Sequence, residues 1–185
     1  FKKRKYLISR SGFSKQGGFE IHTDNIEGAL ELYDYFFEIG KEFNLKPGTP
    51  NHPERIEGGL LSYGSDMDIF DNPFECGFDK YVDLNSDIVF LGRENLIKIK
   101  EKGIKKKLMG VKIESKSIDV SQGIPLLDLN ENEVGQLRSA AYSPKFNKVV
   151  GIAMIEKNFW EVAKKFKINI DGNFVSGEIC NLPIV

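Results

Sequence analysis

Six short segments in the second half of this 185-residue chain are rich in β-branched and aromatic side chains, and turn-forming residues separate them. They comprise residues 109–113, 124–127, 134–142, 149–155, 166–170 and 174–179. Strands this short, at this spacing and without long helices between them, pair as antiparallel neighbours. The pattern therefore predicts a small antiparallel barrel or sandwich.

The first half has a different texture, with strands and helices in alternation. Residues 5–9 and 19–22 read as two strands around a turn containing Gly12, Gly17 and Gly18. Apolar residues then recur at three- and four-residue steps, which predicts a long helix capped by Thr23 or Asp24 and ended by residues 44–47. The fold class is accordingly α+β.

Further along, the elements are shorter. We expect a second helix over 53–63, weakened by two glycines, then an ordered acidic and aromatic loop over 64–78. This part ends with a predicted strand at 81–84 and a predicted helix at 93–102, which lies between Gly92 and Gly103. In the second half, we expect one helical turn within residues 158–164.

Charge and composition exclude several classes of protein. With 26 basic and 27 acidic residues the net charge is -1, so no global field recruits nucleic acid or an anionic membrane. The sequence has no apolar run long enough to span a bilayer, and Cys76 and Cys180 form no metal-ligand spacing. We expect a cytoplasmic protein with a small-molecule partner and no metal, nucleic acid or membrane.

Glu20 is the first candidate for chemistry. It lies between Phe19 and Ile21 in a predicted strand, so it faces away from both and shares a face with His22. Its carboxylate could accept paired N–H groups of a heterocycle in a pocket. The alternative is a solvated glutamate on an exposed strand face, and spacing alone favours that alternative.

Arg55 is the second candidate, at the front of the second predicted helix. Its guanidinium could hold a ligand carboxylate in a bidentate pair, or could simply pair with Glu75. His52 reads as a residue near the helix start. The carboxylates at 66, 68 and 71 only superficially resemble a calcium loop, because the required glycine and closing glutamate are not at their positions.

Several motifs, in order along the chain, resemble those of the aminomethyltransferase family, the T-protein of the glycine cleavage system. Residues 8–21, ISRSGFSKQGGFEI, are similar to the family's I-S-R-T-G-Y-T-G-E-x-G-F-E-I. Residues 55–64, RIEGGLLSYG, resemble R-L-E-A-G-L-x-L-Y-G, and NPFECGF, FLGRENL and the stretch 135–144 resemble three later family motifs. The resemblance covers nearly the whole chain.

Departures from the family pattern indicate a branch. Asn51 stands where the family's G-A-R-D segment has its arginine, and residues 138–144, RSAAYSP, differ from the family's T-S-G sequence. These positions resemble the dimethylsulfoniopropionate demethylases of marine bacteria. The resemblance then implies methyl transfer from dimethylsulfoniopropionate to tetrahydrofolate, as an alternative to aminomethyl transfer in glycine cleavage or to a non-catalytic folate-binding role.

The resemblance also implies roles for single residues. Glu20 matches the family glutamate that contacts the pterin, with Phe13, Arg55 and Tyr142 as further folate-binding candidates. His22 and Asn51 are candidates for contact with the substrate, and Phe13, Phe19 and Tyr142 could equally be plain core aromatics.

The implied architecture places the end of the folate-binding domain at residues 1–103 and a β-barrel domain at 104–185. The family's important aspartate has no counterpart in this sequence. We therefore expect the catalytic residues in an N-terminal part that precedes this stretch, a fragment that is inactive alone, and a homodimer as one possible assembly.

Overall fold

The computed structural model describes residues 1–13, 17–49 and 51–184. Its contacts divide the chain into two compact units, Phe1–Asn51 and His52–Val185. The family domains expected from the sequence, residues 1–103 and 104–185, are a different kind of division, and their boundary stays a prediction.

The first unit contains a two-stranded antiparallel sheet and one long helix. Strands β1 (Leu7–Ser9) and β2 (Glu20–His22) pair with Ser9 opposite Glu20. Helix α1 spans Ile26–Ile39 and continues into a 3-10 helix, Gly40–Phe43. The turn predicted between the strands falls partly on residues 14–16, which lie outside the described residues.

The cap of α1 differs from the sequence prediction. Asn25, and neither Thr23 nor Asp24, caps the helix, and its side-chain oxygen accepts a hydrogen bond of 2.7 Å from the Gly28 amide. A Cβ at Gly28 would lie 2.5 Å from the Arg4 guanidinium. Glycine at this position therefore lets the N-terminal segment approach the first turn of the helix closely.

The second unit begins with short elements. Helix α2 (His52–Glu57) is shorter than predicted, because the chain turns at Gly59, whose φ of 64° is left-handed. The strand predicted at 81–84 is wrong, since a 3-10 helix occupies Asp79–Tyr81. Helix α3 (Arg93–Lys102) has the predicted bounds.

The remaining strands close into a six-stranded antiparallel barrel, which confirms the first of the two predicted architectures. They are β3 (Lys106–Ile113), β4 (Ile124–Leu127), β5 (Glu133–Ser143), β6 (Lys148–Glu156), β7 (Lys165–Ile170) and β8 (Asn173–Cys180). Around the barrel they follow the order β3-β6-β5-β4-β7-β8, and β8 pairs with β3 to complete the circle. A 3-10 helix, Lys157–Phe159, supplies the helical turn after β6.

The barrel interior is an apolar core of alternating inward side chains. Phe166, Leu137 and Ile113 are among its fully buried members. A Cβ at Gly177 would lie 2.3 Å from the Phe166 ring, so β8 needs glycine where that ring crosses it. A second apolar cluster covers the outer face of β6, where Ile56 of α2 packs with Val150 and others. The barrel is thus a rigid support for α2.

Within residues 1–13, 17–49 and 51–184, no helix is long and apolar enough to cross a membrane. Nor does that part of the chain gather three or more histidine, cysteine or acidic side chains that could hold a metal ion.

Candidate functional site

Glu20 and His22 belong to one hydroxyl network on the small sheet of the first unit. Ser11 donates a short hydrogen bond to the Glu20 carboxylate, and the Ser9 and Ser11 hydroxyl oxygens are 2.9 Å apart. Ser9 Oγ is in turn 3.2 Å from His22 Nε2. The two residues predicted to share a strand face are therefore joined through two serines.

This network is open to solvent, and the other candidates of the same unit lie at its surface. Glu20, His22 and Asn51 are exposed, and Phe13 is 41% exposed. A carboxylate flanked by hydroxyls on an open sheet face can accept N–H groups from a ligand. The folate and substrate roles expected for these four residues stay predictions.

Arg55 lies in the second unit, and its guanidinium is 3% exposed. Nη1 donates to Asp66 Oδ2 at 2.5 Å and to the Leu60 carbonyl at 3.3 Å, and Nη2 donates to Ser139 Oγ at 2.9 Å. The alternative of a pair with Glu75 is wrong, because Asp66 is the partner. Arg55 thus ties α2 to the following loop and to strand β5, and its expected contact with a cofactor stays a prediction.

Two further contacts fix α2. Ser143 Oγ donates to Glu57 Oε1 at 2.6 Å, which joins the end of the helix to the end of β5. Arg55 Nε donates to His52 Nδ1 at 3.4 Å. Burial and the neighbouring Arg55 charge lower the pKa of His52 below its usual 6.5, although Asp66 acts the other way. A neutral imidazole is what an acceptor Nδ1 requires.

A polar cleft of about 490 Å³ opens beside α2. Its walls are the start of α2, the turn at Gly64, the 118–123 segment and strand β5. Side chains lining it include His52, Arg55, Asp119, Ser121, Gln136 and Arg138. Because hydrogen-bonding groups predominate on these walls, the cleft suits a polar or charged ligand group.

Asp71 forms a charged cluster on the barrel, with its side chain 1% exposed. Lys106 Nζ donates to Asp71 Oδ1 at 2.7 Å, and Arg138 Nη2 lies 3.8 Å from Oδ2. Burial alone would raise the pKa of Asp71, but the hydrogen bonds from Lys106 and the Asp68 amide, with the two positive charges, hold the pKa below its ordinary 3.8. The carboxylate is therefore ionised and neutralised mainly by Lys106.

Tyr142 lies at the far end of β5. Its hydroxyl donates to Asn147 Oδ1 at 2.8 Å, and Lys116 Nζ is 5.3 Å from the ring centroid. Its expected role in binding folate stays a prediction.

A second cavity, of about 580 Å³, lies between the turn that follows α2 (residues 58–61), the 76–81 segment, the first half of β3 and the residues 181–183 that follow β8. Gly59, Leu60, Phe78, Met109 and Leu182 give it apolar walls, and Cys76 lies at its edge. Burial raises the pKa of Cys76 to about 11 and the pKa of Cys180 to about 11 as well. Neither thiol is therefore activated as a nucleophile at neutral pH.

Sequence reasoning missed the partners that organise these sites. Ser139 and Arg138 carried no local signal, because their partners Arg55 and Asp71 are distant in sequence, whereas Asp66 reaches Arg55 through the turn that follows α2. Ser9 and Ser11 could have been found, since antiparallel pairing of the two short strands brings the I-S-R-S segment opposite Glu20.

Comparison with known proteins identifies two family domains. Residues 1–86 match the GCVT N-terminal domain, and residues 106–185 match the glycine cleavage T-protein C-terminal barrel domain. The second match begins where the observed barrel begins, at β3.

Relatives with two different activities match this chain in sequence. A dimethylsulfoniopropionate demethylase of Ruegeria pomeroyi is 36% identical over 154 residues, which cover 83% of this chain and 42% of the relative. An aminomethyltransferase of Thermotoga neapolitana is 34% identical over 179 residues, 96% of this chain and 47% of the relative. The chain thus spans less than half the length of these relatives.

A solved structure has the same fold. The glycine cleavage system aminomethyltransferase T of Bartonella henselae superposes with a TM-score of 0.86, covering 99% of this chain and 50% of that one at 21% identity. The order of the sequence motifs, the six-stranded barrel and the two domain matches agree, and the chain belongs to the glycine cleavage T-protein family.

Proposed function

We propose that this chain contributes to a tetrahydrofolate-dependent demethylase that transfers a methyl group from dimethylsulfoniopropionate to tetrahydrofolate. The observation that carries the proposal is the 36% identity to the demethylase of Ruegeria pomeroyi across 83% of this chain. The presence of Asn51 at the position of the family's G-A-R-D arginine supports the same branch. A cytoplasmic location and a homodimer are part of this proposal as well.

The proposed chemistry is a direct displacement. A lone pair on N5 of tetrahydrofolate attacks a methyl carbon of the sulfonium, and the S–C bond breaks with its electron pair going to sulfur. The products are methylmercaptopropionate and 5-methyltetrahydrofolate, with release of the N5 proton. Because the sulfonium is already a good leaving group, the protein mainly needs to position the reactants and exclude water.

In this proposal Glu20 accepts hydrogen bonds from the pterin, with its carboxylate oriented by Ser11. His22 is held by Ser9 on the same sheet face, in a position to contact the substrate. Phe13 offers a partly exposed aromatic ring, which is suited to a sulfonium cation or to the pterin face.

The second candidate is aminomethyl transfer in glycine cleavage, which the match to the Thermotoga neapolitana aminomethyltransferase favours. The complete gene product, given tetrahydrofolate and dimethylsulfoniopropionate, should form methylmercaptopropionate and 5-methyltetrahydrofolate, measured by liquid chromatography and mass spectrometry. Turnover of an aminomethyl-lipoyl carrier alone would select the second candidate. Formation of none of these products would refute both.

Glu20→Gln tests the proposed pterin contact in the same protein. We expect tetrahydrofolate binding to weaken by about 1 to 3 kcal/mol, the range for the loss of a hydrogen-bonding partner. Glu38→Gln on the exposed surface of α1 removes the same charge and serves as the control, with unchanged affinity expected. Equal affinities of Glu20→Gln and the unsubstituted protein, by calorimetry, would remove Glu20 from the site.

A further inference from the structure

Strand β5 carries a β-bulge at Arg138. Its register with β6 pairs Leu137 with Ala153 and Ser139 with Ile152, so that Arg138 has no partner residue across the ladder. A bulge adds one residue to a strand and re-aims its side chain, and bulges are common next to functional sites. Arg138 and Ser139 both line the polar cleft, and the Ser139 hydroxyl is already held by Arg55.

The Arg138 guanidinium has hydrogen-bonding capacity that the described residues do not use. Its Nε is buried and makes no hydrogen bond within the described ranges. Its Nη2 lies 3.8 Å from Asp71, beyond hydrogen-bond length, and Lys106 already neutralises that carboxylate at 2.7 Å. A buried N–H without a protein partner is uncommon in native proteins, and such groups are normally satisfied by an ordered water or a bound ion.

Arg138 is the cationic side chain of the cleft that has no hydrogen-bonded carboxylate partner among the described residues. Gln136, two residues earlier on β5, lines the same cleft, and its carboxamide packs so closely on the 118–123 segment that a Cβ at Gly123 would lie 2.4 Å from it. Asp66 neutralises the charge of Arg55 on another wall of the cleft. The pKa of His52 is lowered, which favours its neutral form. Asp119 is the one acidic side chain among the residues that line the cleft, and it is exposed.

We propose that the cleft beside α2 is a carboxylate-binding subsite in which Arg138 and Gln136 hold the anionic end of a ligand. This inference rests on the proposed function, which offers two carboxylate sources: the propionate of dimethylsulfoniopropionate and the glutamyl tail of tetrahydrofolate. A guanidinium and a carboxamide present donors that match the two oxygens of a carboxylate.

The test is a calorimetric comparison of ligands with and without the carboxylate, using the complete gene product and Arg138→Gln. Dimethylsulfoniopropionate is paired with trimethylsulfonium, and tetrahydrofolate is paired with tetrahydropteroate. If the propionate is the ligand, Arg138→Gln weakens binding of dimethylsulfoniopropionate about tenfold or more and leaves trimethylsulfonium unchanged. If the glutamyl tail is the ligand, the same selective loss occurs in the folate pair.

Two further variants separate binding from folding. Gln136→Leu should produce a weaker loss for the same carboxylate ligand, whereas Lys98→Gln on the exposed side of α3 removes one positive charge away from the cleft and should change nothing. Thermal unfolding of each variant reports whether it is folded, and Gln136→Leu carries the test if Arg138→Gln fails to fold.

The outcomes are distinct. Unchanged affinity of both carboxylate ligands for folded Arg138→Gln, or for folded Gln136→Leu if Arg138→Gln does not fold, would overturn the subsite and leave the proposed function intact. Failure of the unsubstituted protein to bind any of the four ligands would instead overturn the proposed function, and the subsite with it.

Discussion

The buried ion pair between Arg55 and Asp66 gives the sharpest stability prediction. Both side chains are nearly inaccessible, at 3% and 0%, and Asp66 Oδ2 accepts from Arg55 at 2.5 Å and from the Ser62 amide at 2.6 Å. Asp66→Asn keeps the shape but removes the negative charge. The Arg55 guanidinium then remains buried without its carboxylate partner, and its acceptors include the neutral Leu60 carbonyl, Ser139 hydroxyl and His52 Nδ1.

Removing one partner of a buried ion pair costs about 3 to 5 kcal/mol, because the other charge is left uncompensated in a poorly solvated environment. Asparagine can still accept the Ser62 amide, so we expect a value near the lower end, about 3 kcal/mol. The free energy of unfolding is measured by urea denaturation, monitored by circular dichroism. The slope of this free energy against urea concentration should be the same for the variant and the parent.

Two further variants serve as controls for Asp66→Asn. Glu114→Gln removes the negative charge of a surface ion pair with Lys148, in which the glutamate is 54% exposed. We expect the urea midpoint of unfolding to stay nearly unchanged. The double variant Arg55→Met/Asp66→Leu removes both charges and should recover much of the stability that Asp66→Asn loses. A midpoint shift for Asp66→Asn no larger than that for Glu114→Gln would refute the reasoning.

Two other perturbations have defined outcomes. The pKa of Asp71 is lower in the folded chain than its ordinary 3.8. The ionised carboxylate therefore stabilises the fold above that value, and this stabilisation is lost as pH falls through the folded pKa. Asp71→Asn should cost about 1.5 to 3 kcal/mol near neutral pH, and it should flatten the decline of the unfolding free energy with falling pH below about pH 5. An acid limb as steep as in the parent would contradict this. Gly177→Ala should destabilise the barrel by about 1 to 3 kcal/mol in urea, because the new methyl group meets the Phe166 ring, whereas Gly48→Ala, with open space around it, is the control. Equal midpoints for these two glycine variants would mean that the ring moves aside without cost.

The barrel could be predicted from the sequence because its signal is local. Each of the six strands is a short run rich in apolar residues and bounded by turns, and the predicted runs lie within a few residues of the observed bounds. Closure, rather than a sandwich, could not be predicted, because it depends on the pairing of β3 with β8, which no single segment encodes.

Prediction was weaker where tertiary contacts decide. The segment 81–84 has strand-like side chains but no neighbouring strand to pair with in the described structure, and the chain forms a 3-10 turn just before it. Charge alone offers Glu75 as one of two alternatives for Arg55, beside a ligand carboxylate, whereas the turn after α2 delivers Asp66. Glu20 and His22 were correctly placed on one strand face, because period-two alternation needs only the strand itself.

The pairing of β8 with both β3 and β7 also has a consequence for the timing of folding. Strand β3 is synthesised first of the six, yet one of its two partners, Asn173–Cys180, is synthesised last. Until then β3 and β7 each keep an edge that can pair with another chain, and a nascent chain is open to aggregation during that interval. The same long-range pairing makes closure a slow, non-local step. Chaperone dependence of this protein should therefore be concentrated in the short period before its last strand is released.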